Sequence, residues 1–144
     1  HSVYGTLHAN NVRETVNRLV NPPIDLPKQL ISSLSLIIVQ HINRRTGKRR
    51  TLQIAEVLPN GDPRVLMQFN PVRDVLEIVN EPLAIVETLH LYTGLSKQEI
   101  YVDMQAKVKI LQWLVSKNIN DVNKIGLIMS KYYSNKQILS LKGV

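Results

Sequence analysis

Histidine dominates the chemistry-bearing residues of this chain, at His1, His8, His41 and His90. There is no cysteine, which removes a thiol nucleophile, a disulfide framework and a cysteine-ligated zinc site. His1 and His8 fall on opposite faces if Ser2–His8 is an extended strand, so they make a poor pair of metal ligands. His90 lies in a helical pattern and reads as a hydrogen-bonded helix residue, while His41 has no evident partner beside a run of cations. His8 stands apart. It ends a strand-like stretch, has Thr6 two residues before it, and is followed by Ala9-Asn10 and a helix start. Ligands gather at the carboxyl ends of strands in α/β folds, and helix N-termini attract anions, so His8 is a candidate for a ligand role.

Other signatures fail on spacing. Gly47-Lys48 resembles the end of a phosphate-binding loop, but Ile42 stands at the first glycine position and Arg49 at the hydroxyl position. The backbone N–H groups that cradle phosphate need both. No glycine-rich dinucleotide loop and no serine in a nucleophile-elbow spacing occur.

The elements that must position His8 follow from periodicity. Asn11 caps a helix with Glu14 at capping-box spacing; Val12, Val16 and Leu19 form its apolar face, and Asn21-Pro22-Pro23 ends it. Pro27 opens a short second helix. Leu34–Ile42 is dense in β-branched residues with little alternation, which predicts a strand buried on both faces. Strands over 51–58 and 64–69 follow, joined through Asn60-Gly61-Asp62-Pro63. A helix over about 81–93 is framed by Pro82 and Gly94. Ser96 with Glu99 forms a capping box for the longest helix, with Ile100, Met104, Val108, Leu111 and Val115 on one face. Asp121 caps a last helix carrying Val122, Ile125, Met129 and Tyr132, expected to fray beyond Asn135. The composition shift near residue 75 divides an α/β part, 1–74, from a helical part, 75–144.

The net charge is +7, unevenly spread. Residues 41–50 carry +5 from Arg44, Arg45, Lys48, Arg49 and Arg50, residues 51–103 carry −5, and 104–144 carry +6. A solvated charged turn and solvated helix faces account for this excess more simply than nucleic-acid binding, because the basic turn lacks interleaved aromatics for base stacking. The longest uncharged apolar run, Leu30–Val39, is broken by three serines and falls short of the ~20 residues that span a bilayer. No signal-peptide pattern opens the chain, so an intracellular, soluble domain with no disulfide or metal staple is expected.

The stretch HSVYGTLHANNVRETVNRL closely resembles the histidine box of the secretion and pilus-motor ATPases of the type II and type IV systems (GspE/PilT-like). The box maps onto His1, Thr6-Leu7-His8, Ala9 and Arg18-Leu19. LISSLSLIIVQHINRRTGKRRTLQIAEVL is similar to the family's next helix, a strand ending in Gln40, a basic hairpin, and a strand with Arg50 and Glu56. FNPVRDVLEI through IGLIMSKYYSNK is similar to the C-terminal helical part of the archaeal-type branch.

The resemblance implies the C-terminal part of a RecA-like P-loop core with antiparallel strands, followed by a small helical bundle. It implies a hexameric motor using ATP and Mg²⁺ to drive pilus assembly or secretion, cytoplasmic and peripheral to the inner membrane face. His8 would sense the γ-phosphate or position the attacking water, with His1, Arg18, Gln40 and Arg50 near the nucleotide or a subunit interface. Partners would be other copies and a membrane platform protein, with no specific nucleic acid and no membrane insertion. The family's P-loop and Walker B carboxylates lie upstream of this box and are absent here. The 144 residues alone are therefore expected neither to bind nor to hydrolyse Mg·ATP, and to need no cofactor or metal of their own. In a RecA-like sheet the P-loop strand separates the two strands at Ser2–His8 and Leu34–Ile42. An empty slot ~9.6 Å wide, sticky enough to drive association or repacking, is the expected consequence. The alternatives are a non-catalytic docking module built on the helical part and, last, a basic nucleic-acid binder through Arg44–Arg50.

Overall fold

The computed structural model describes residues 3–141, with side chains through residue 135. It divides into two compact units, His1–Leu95 and Ser96–Val144. That division falls later than the composition shift near residue 75, because strand pairing and a buried carboxylate hold residues 75–95 to the first unit.

In the first unit, α1 (Val12–Val20) and the short α2 (Lys28–Ile31) precede four strands, β1 (Leu36–Ile42), β2 (Arg49–Val57), β3 (Pro63–Asn70) and β4 (Val75–Ile78). They form one antiparallel sheet in the order β1-β2-β3-β4, and α3 (Ala84–Thr93) comes next in the chain. The mixed α/β class with antiparallel strands agrees with the sequence pattern. The pattern does not reveal β4, since four residues are too few to show alternation.

The start of α1 is as its sequence dictates. The Asn11 side chain accepts from the Glu14 N–H at 2.8 Å, and Asn21 closes the helix through its N–H to the Asn17 carbonyl. The buried face of α1 meets one face of the sheet: Val12 and Ile31 cluster with Ile37, Val39, Ala55 and Val57, flanked by Val16, Leu19, Leu52 and Val65. Fully burying a side chain of this size contributes roughly 1.5–3 kcal/mol. The turn before β3 closes against α2. Gly61 has φ +81, and a Cβ there would lie 2.9 Å from the Lys28 carbonyl oxygen, so only glycine lets the two segments meet. Lys28 and Asp62 pair across this contact at 2.8 Å.

Two expectations are corrected. Residues 3–9 carry no regular secondary structure, with Val3 and Tyr4 almost fully exposed. A strand needs a neighbour for its N–H and C=O groups, and among the described residues no strand lies alongside this segment. The expected slot between two parallel strands is therefore not formed. β1 is also not buried on both faces. Ile37 and Val39 face the core, whereas Leu36 and Ile38 on the other face are 42% and 53% exposed. It is the edge strand of an antiparallel sheet, and only one of its faces has a covering layer.

That opposite face holds the one buried ionisable side chain among the described residues. Glu56, fully buried, points away from Ala55 and Val57. Its carboxylate accepts from Leu83 N–H at 3.1 Å to each oxygen and from Ile85 N–H at 3.1 Å, with Arg64 at 4.0 Å. Glu56 thus caps the start of α3 from a neighbouring strand, where the positive helix terminus favours a negative charge.

The second unit contains α4 (Lys97–Ser116) and α5 (Val122–Leu141). Ser96 and Glu99 form the full reciprocal capping box, and Asp121 accepts from the Lys124 N–H at 2.9 Å. Helix α5 continues to Leu141 rather than fraying near Asn135. Of the expected α4 stripe only Ile100 is buried, joined by Leu114. A polar clasp joins the helices: Tyr132 Oη donates to Asp103 Oδ1 at 2.8 Å, Lys107 Nζ meets Asp103 Oδ2 at 2.8 Å, and the same ammonium lies over the Tyr133 ring. The hydrogen bond to Asp103 pushes the Lys107 pKa up.

Glu56→Leu leaves the Leu83 and Ile85 N–H groups without their acceptor, and should lower stability by about 2–4 kcal/mol, with Glu56→Gln costing less. Urea denaturation monitored by circular dichroism reads both. A Glu56→Leu midpoint equal to wild type would show that the carboxylate does not hold α3.

Candidate functional site

The candidate residues gather at two places, the entry to α1 and the far end of the β1–β2 pair. At the first, His8 is exposed, two residues before Asn10. Glu14 fastens the chain just beyond His8. Its Oε2 accepts from both the backbone N–H and the side-chain amide of Asn10, each at 2.9 Å, and its Oε1 meets Arg18 Nε at 2.8 Å and Nη2 at 2.6 Å. Glu14 therefore reaches one residue further back than a capping box requires, to Asn10 rather than Asn11. The Asn10 N–H, then Arg18, then the Asn10 amide hold the Glu14 carboxyl well below its usual value of 4.5, at about 2. Through this relay Arg18, on the last turn of α1, is tied back to the segment that carries His8.

A second fastening comes from the sheet. The Val12 N–H donates to Gln53 Oε1 at 2.8 Å, and Gln53 Nε2 donates to Gln68 Oε1 at 2.8 Å. The helix entry is thus bonded to β2, and β2 to β3, by one side chain. Gln53 pairs with Val39, and the register shifts immediately after it, so Gln40 pairs with Thr51 and Leu52 is the extra residue of a bulge.

Beyond that bulge lie the remaining candidates. Gln40 is exposed opposite Thr51, and Arg50 stands opposite His41, so strand alternation puts Gln40 and Arg50 on opposite faces. Arg50 grips Asp74 with two parallel bonds, Nε to Oδ1 at 2.7 Å and Nη2 to Oδ2 at 2.8 Å. The pairing raises the Arg50 pKa and lowers that of Asp74. Among the described residues no hydrogen bond links His8 to Arg18, Gln40 or Arg50. His1 lies outside the described residues. His90 is exposed on α3 and its Nδ1 lies 2.6 Å from the Leu95 carbonyl oxygen, a helix-end contact as its sequence suggested.

Gln53 and Asp74 at this site, and Glu56 at the start of α3, do not stand out as functional candidates in the sequence, although Glu56 falls within the resemblance. Gln53 and Glu56 carry a signal, being polar side chains inside the apolar run LQIAEVL. Asp74 carries none, because its partner is 24 residues away.

Among the described residues no three histidine, aspartate or glutamate side chains come together to hold a metal ion, and no helix is long and apolar enough to cross a membrane.

No family model matches the sequence. It is similar to three uncharacterized proteins of Methanocaldococcus jannaschii. One is 32% identical over 136 residues, covering 89% of this chain and 19% of the relative. A second is 26% identical over 144 residues, covering 92% of this chain and 26% of the relative. The third is 25% identical over 121 residues, covering 78% and 44% respectively. The chain thus spans less than half the length of each.

The low Glu14 pKa sets a pH window. The folded value lies below the usual 4.5, so the relay contributes its full stabilisation above about pH 4.5 and loses it as pH falls toward 2. A carboxyl-carbon NMR titration of Glu14 should show a midpoint near 2, moving up in Arg18→Ala but staying below 4.5, because the Asn10 bonds remain. A midpoint at the ordinary carboxylate value in the wild-type chain would mean the relay is not formed in solution.

Proposed function

We infer that this chain is the histidine-box and C-terminal part of a secretion or pilus-motor ATPase, working within a longer polypeptide that supplies the phosphate-binding loop and Mg²⁺ ligands. One observation carries the reading: the contrast between the two edges of the sheet. At the β4 edge the strand is four residues long and carries Glu77, paired with Arg73 of the preceding turn; short length and charge are both ordinary protections against stray pairing. The β1 edge has neither. Its seven residues LIIVQHI include no Asp, Glu, Lys, Arg or proline, and leave Leu36 and Ile38 exposed. In the motor family the strand bearing the P-loop runs beside the strand that precedes the basic hairpin, and by the resemblance β1 would be that strand. An unprotected edge is what such a continuation requires.

The box residues are compatible with this role. His8 is accessible, and the segment carrying it is tied down by Asn10, Glu14 and Arg18 behind it and by Gln53 beneath Val12. Phosphoryl transfer depends mainly on positioning and on charge stabilisation, and an exposed side chain on a fastened segment can report a γ-phosphate brought to it. The chain's own residues make no complete cradle for Mg·ATP, so the 144 residues alone are inactive in this reading. The copies would assemble as a hexamer on the inner face of a membrane, against a platform protein.

The test uses the full-length gene product that contains this chain. Wild type should hydrolyse ATP, and His8→Ala should lower kcat by about a hundredfold or more, within the usual range for a positioned proton-transfer or orienting group. ATP turnover unchanged by His8→Ala would remove the histidine from the reaction, and absence of any ATPase in the wild-type protein would overturn the reading itself.

A further inference from the structure

The ends of β1 and β2 leave the sheet. β3 pairs with β2 only from Gln53 onward, whereas β1 and β2 stay paired through Gln40–Thr51, His41–Arg50 and Ile42–Arg49. From the bulge at Val39/Gln40 the two strands therefore run on as a two-stranded ribbon, and bulges add right-handed twist. The tip is ordered by its own bonds. Asn43 Oδ1 accepts from the Arg45 and Thr46 N–H groups at 3.0 and 3.2 Å, and the Asn43 carbonyl accepts from Gly47 at 2.8 Å, with Gly47 at φ +68. On this frame Arg44 and Arg45 leave one limb while Lys48 and Arg49 leave the other, all exposed.

Their charge is not neutralised locally. Elsewhere in the first unit Arg18, Lys28, Arg50, Arg64 and Arg73 each have an acidic partner within 4.0 Å. Apart from Arg13, the cations with no such partner among the described residues of this unit are the four of the tip. One acid that the field of Lys48 reaches, Asp74, is held by Arg50 at the ribbon's base.

We propose that this ribbon binds the phosphate backbone of double-stranded DNA by entering the major groove, without sequence preference. The dimensions agree. Three strand residues extend ~10 Å at about 3.3 Å each, and the major groove is about 8.5 Å deep and 12 Å wide, enough for a two-stranded ribbon. Cations on both limbs can reach the phosphates of both groove walls, and three of the four are arginines, whose planar fork matches phosphate oxygens. What the tip lacks selects among polyanions. It has no Phe, Tyr or Trp on which single-stranded bases would stack, and residues 43–50 offer no apolar side chain to enter a bilayer. This interaction is independent of the ATPase reading.

The test is fluorescence anisotropy of a labelled duplex of roughly 20 bp with this chain across a salt series. Four phosphate contacts predict a slope of log K against log salt of about −3.6, so affinity should fall about 150-fold between 50 and 200 mM salt. The double variant Arg44→Gln/Arg45→Gln should reduce the slope to about −1.8. Lys117→Gln/Lys124→Gln, which removes the same charge from the second unit, should leave it near wild type. Circular dichroism checks that both variants stay folded. No anisotropy change at the lowest salt would overturn the proposal, as would equal weakening in the two variants. So would sedimentation with vesicles containing anionic lipid under conditions where the duplex is not bound.

Discussion

A carboxylate with no solvent contact organises the first unit. Glu56 is an acid inside a strand whose neighbours Ala55 and Val57 are buried in the apolar cluster on the other face. Desolvating a charge is costly unless donors surround it, and here the donors are the first N–H groups of α3. The same contact satisfies two groups that a helix start otherwise leaves without partners. Strand and helix therefore solve each other's problem, and neither arrangement stands alone. It also explains why residues 75–95 belong with the sheet: β4 pairs with β3, the Asn80 amide donates to the Val65 carbonyl at 2.7 Å, and the chain arrives at Glu56 with α3 ready to be capped.

Two bulges set which residues of the neighbouring strands lie opposite β2. Between Ile54 and Ala55 the β2–β3 register slips by one residue, leaving Leu66 extra, so that Ala55 with Val65 faces α1 and Glu56 with Arg64 faces α3. Between Val39 and Gln40 the β1–β2 register slips again with Leu52 extra, beyond Gln53, which shares the face of Ala55 and Val57 and takes the Val12 N–H. On β2 itself Gln53 and Glu56 lie three residues apart, so period-two alternation puts them on opposite faces. One strand thus links the core to the candidate site: from one face of β2 Glu56 holds α3, and from the other Gln53 holds the entry to α1.

Local signals are legible in the sequence, and pairing is not. Asn11, Ser96 with Glu99, Asp121, the prolines at 22 and 23 and Gly94 mark helix ends because caps act within a few residues. Three strands of the sheet are visible in their β-branched runs. The expected Ser2–His8 strand is missing because apolar, β-branched composition shows a capacity to pair, while pairing depends on a neighbour at another place in the chain. The same gap explains β1. A run without alternation suits a strand buried on two faces, but Leu36 and Ile38 meet no layer among the described residues. For the site, the Asn11–Glu14 spacing points to the right pair of elements. The further reach of Glu14 to Asn10, and of Arg50 to Asp74, depends on side-chain placement that spacing does not encode.

The charge distribution shows what kind of feature the basic stretch is. Residues 41–50 carry +5 with no acid among them, and folding brings in only Asp74, bound by Arg50 at the base. Four cations left together at a tip repel one another; water and salt weaken that repulsion, and among the described residues only the field of Asp74 on Lys48 offsets part of it. Packing does not require them either, because residues 41–49 are all exposed and the turn is held by Asn43 and Gly47 through backbone bonds. A neutral turn would close the same hairpin with less repulsion. The fold therefore accounts for the asparagine and the glycine of this turn, and among the described residues it gives no packing reason for its arginines.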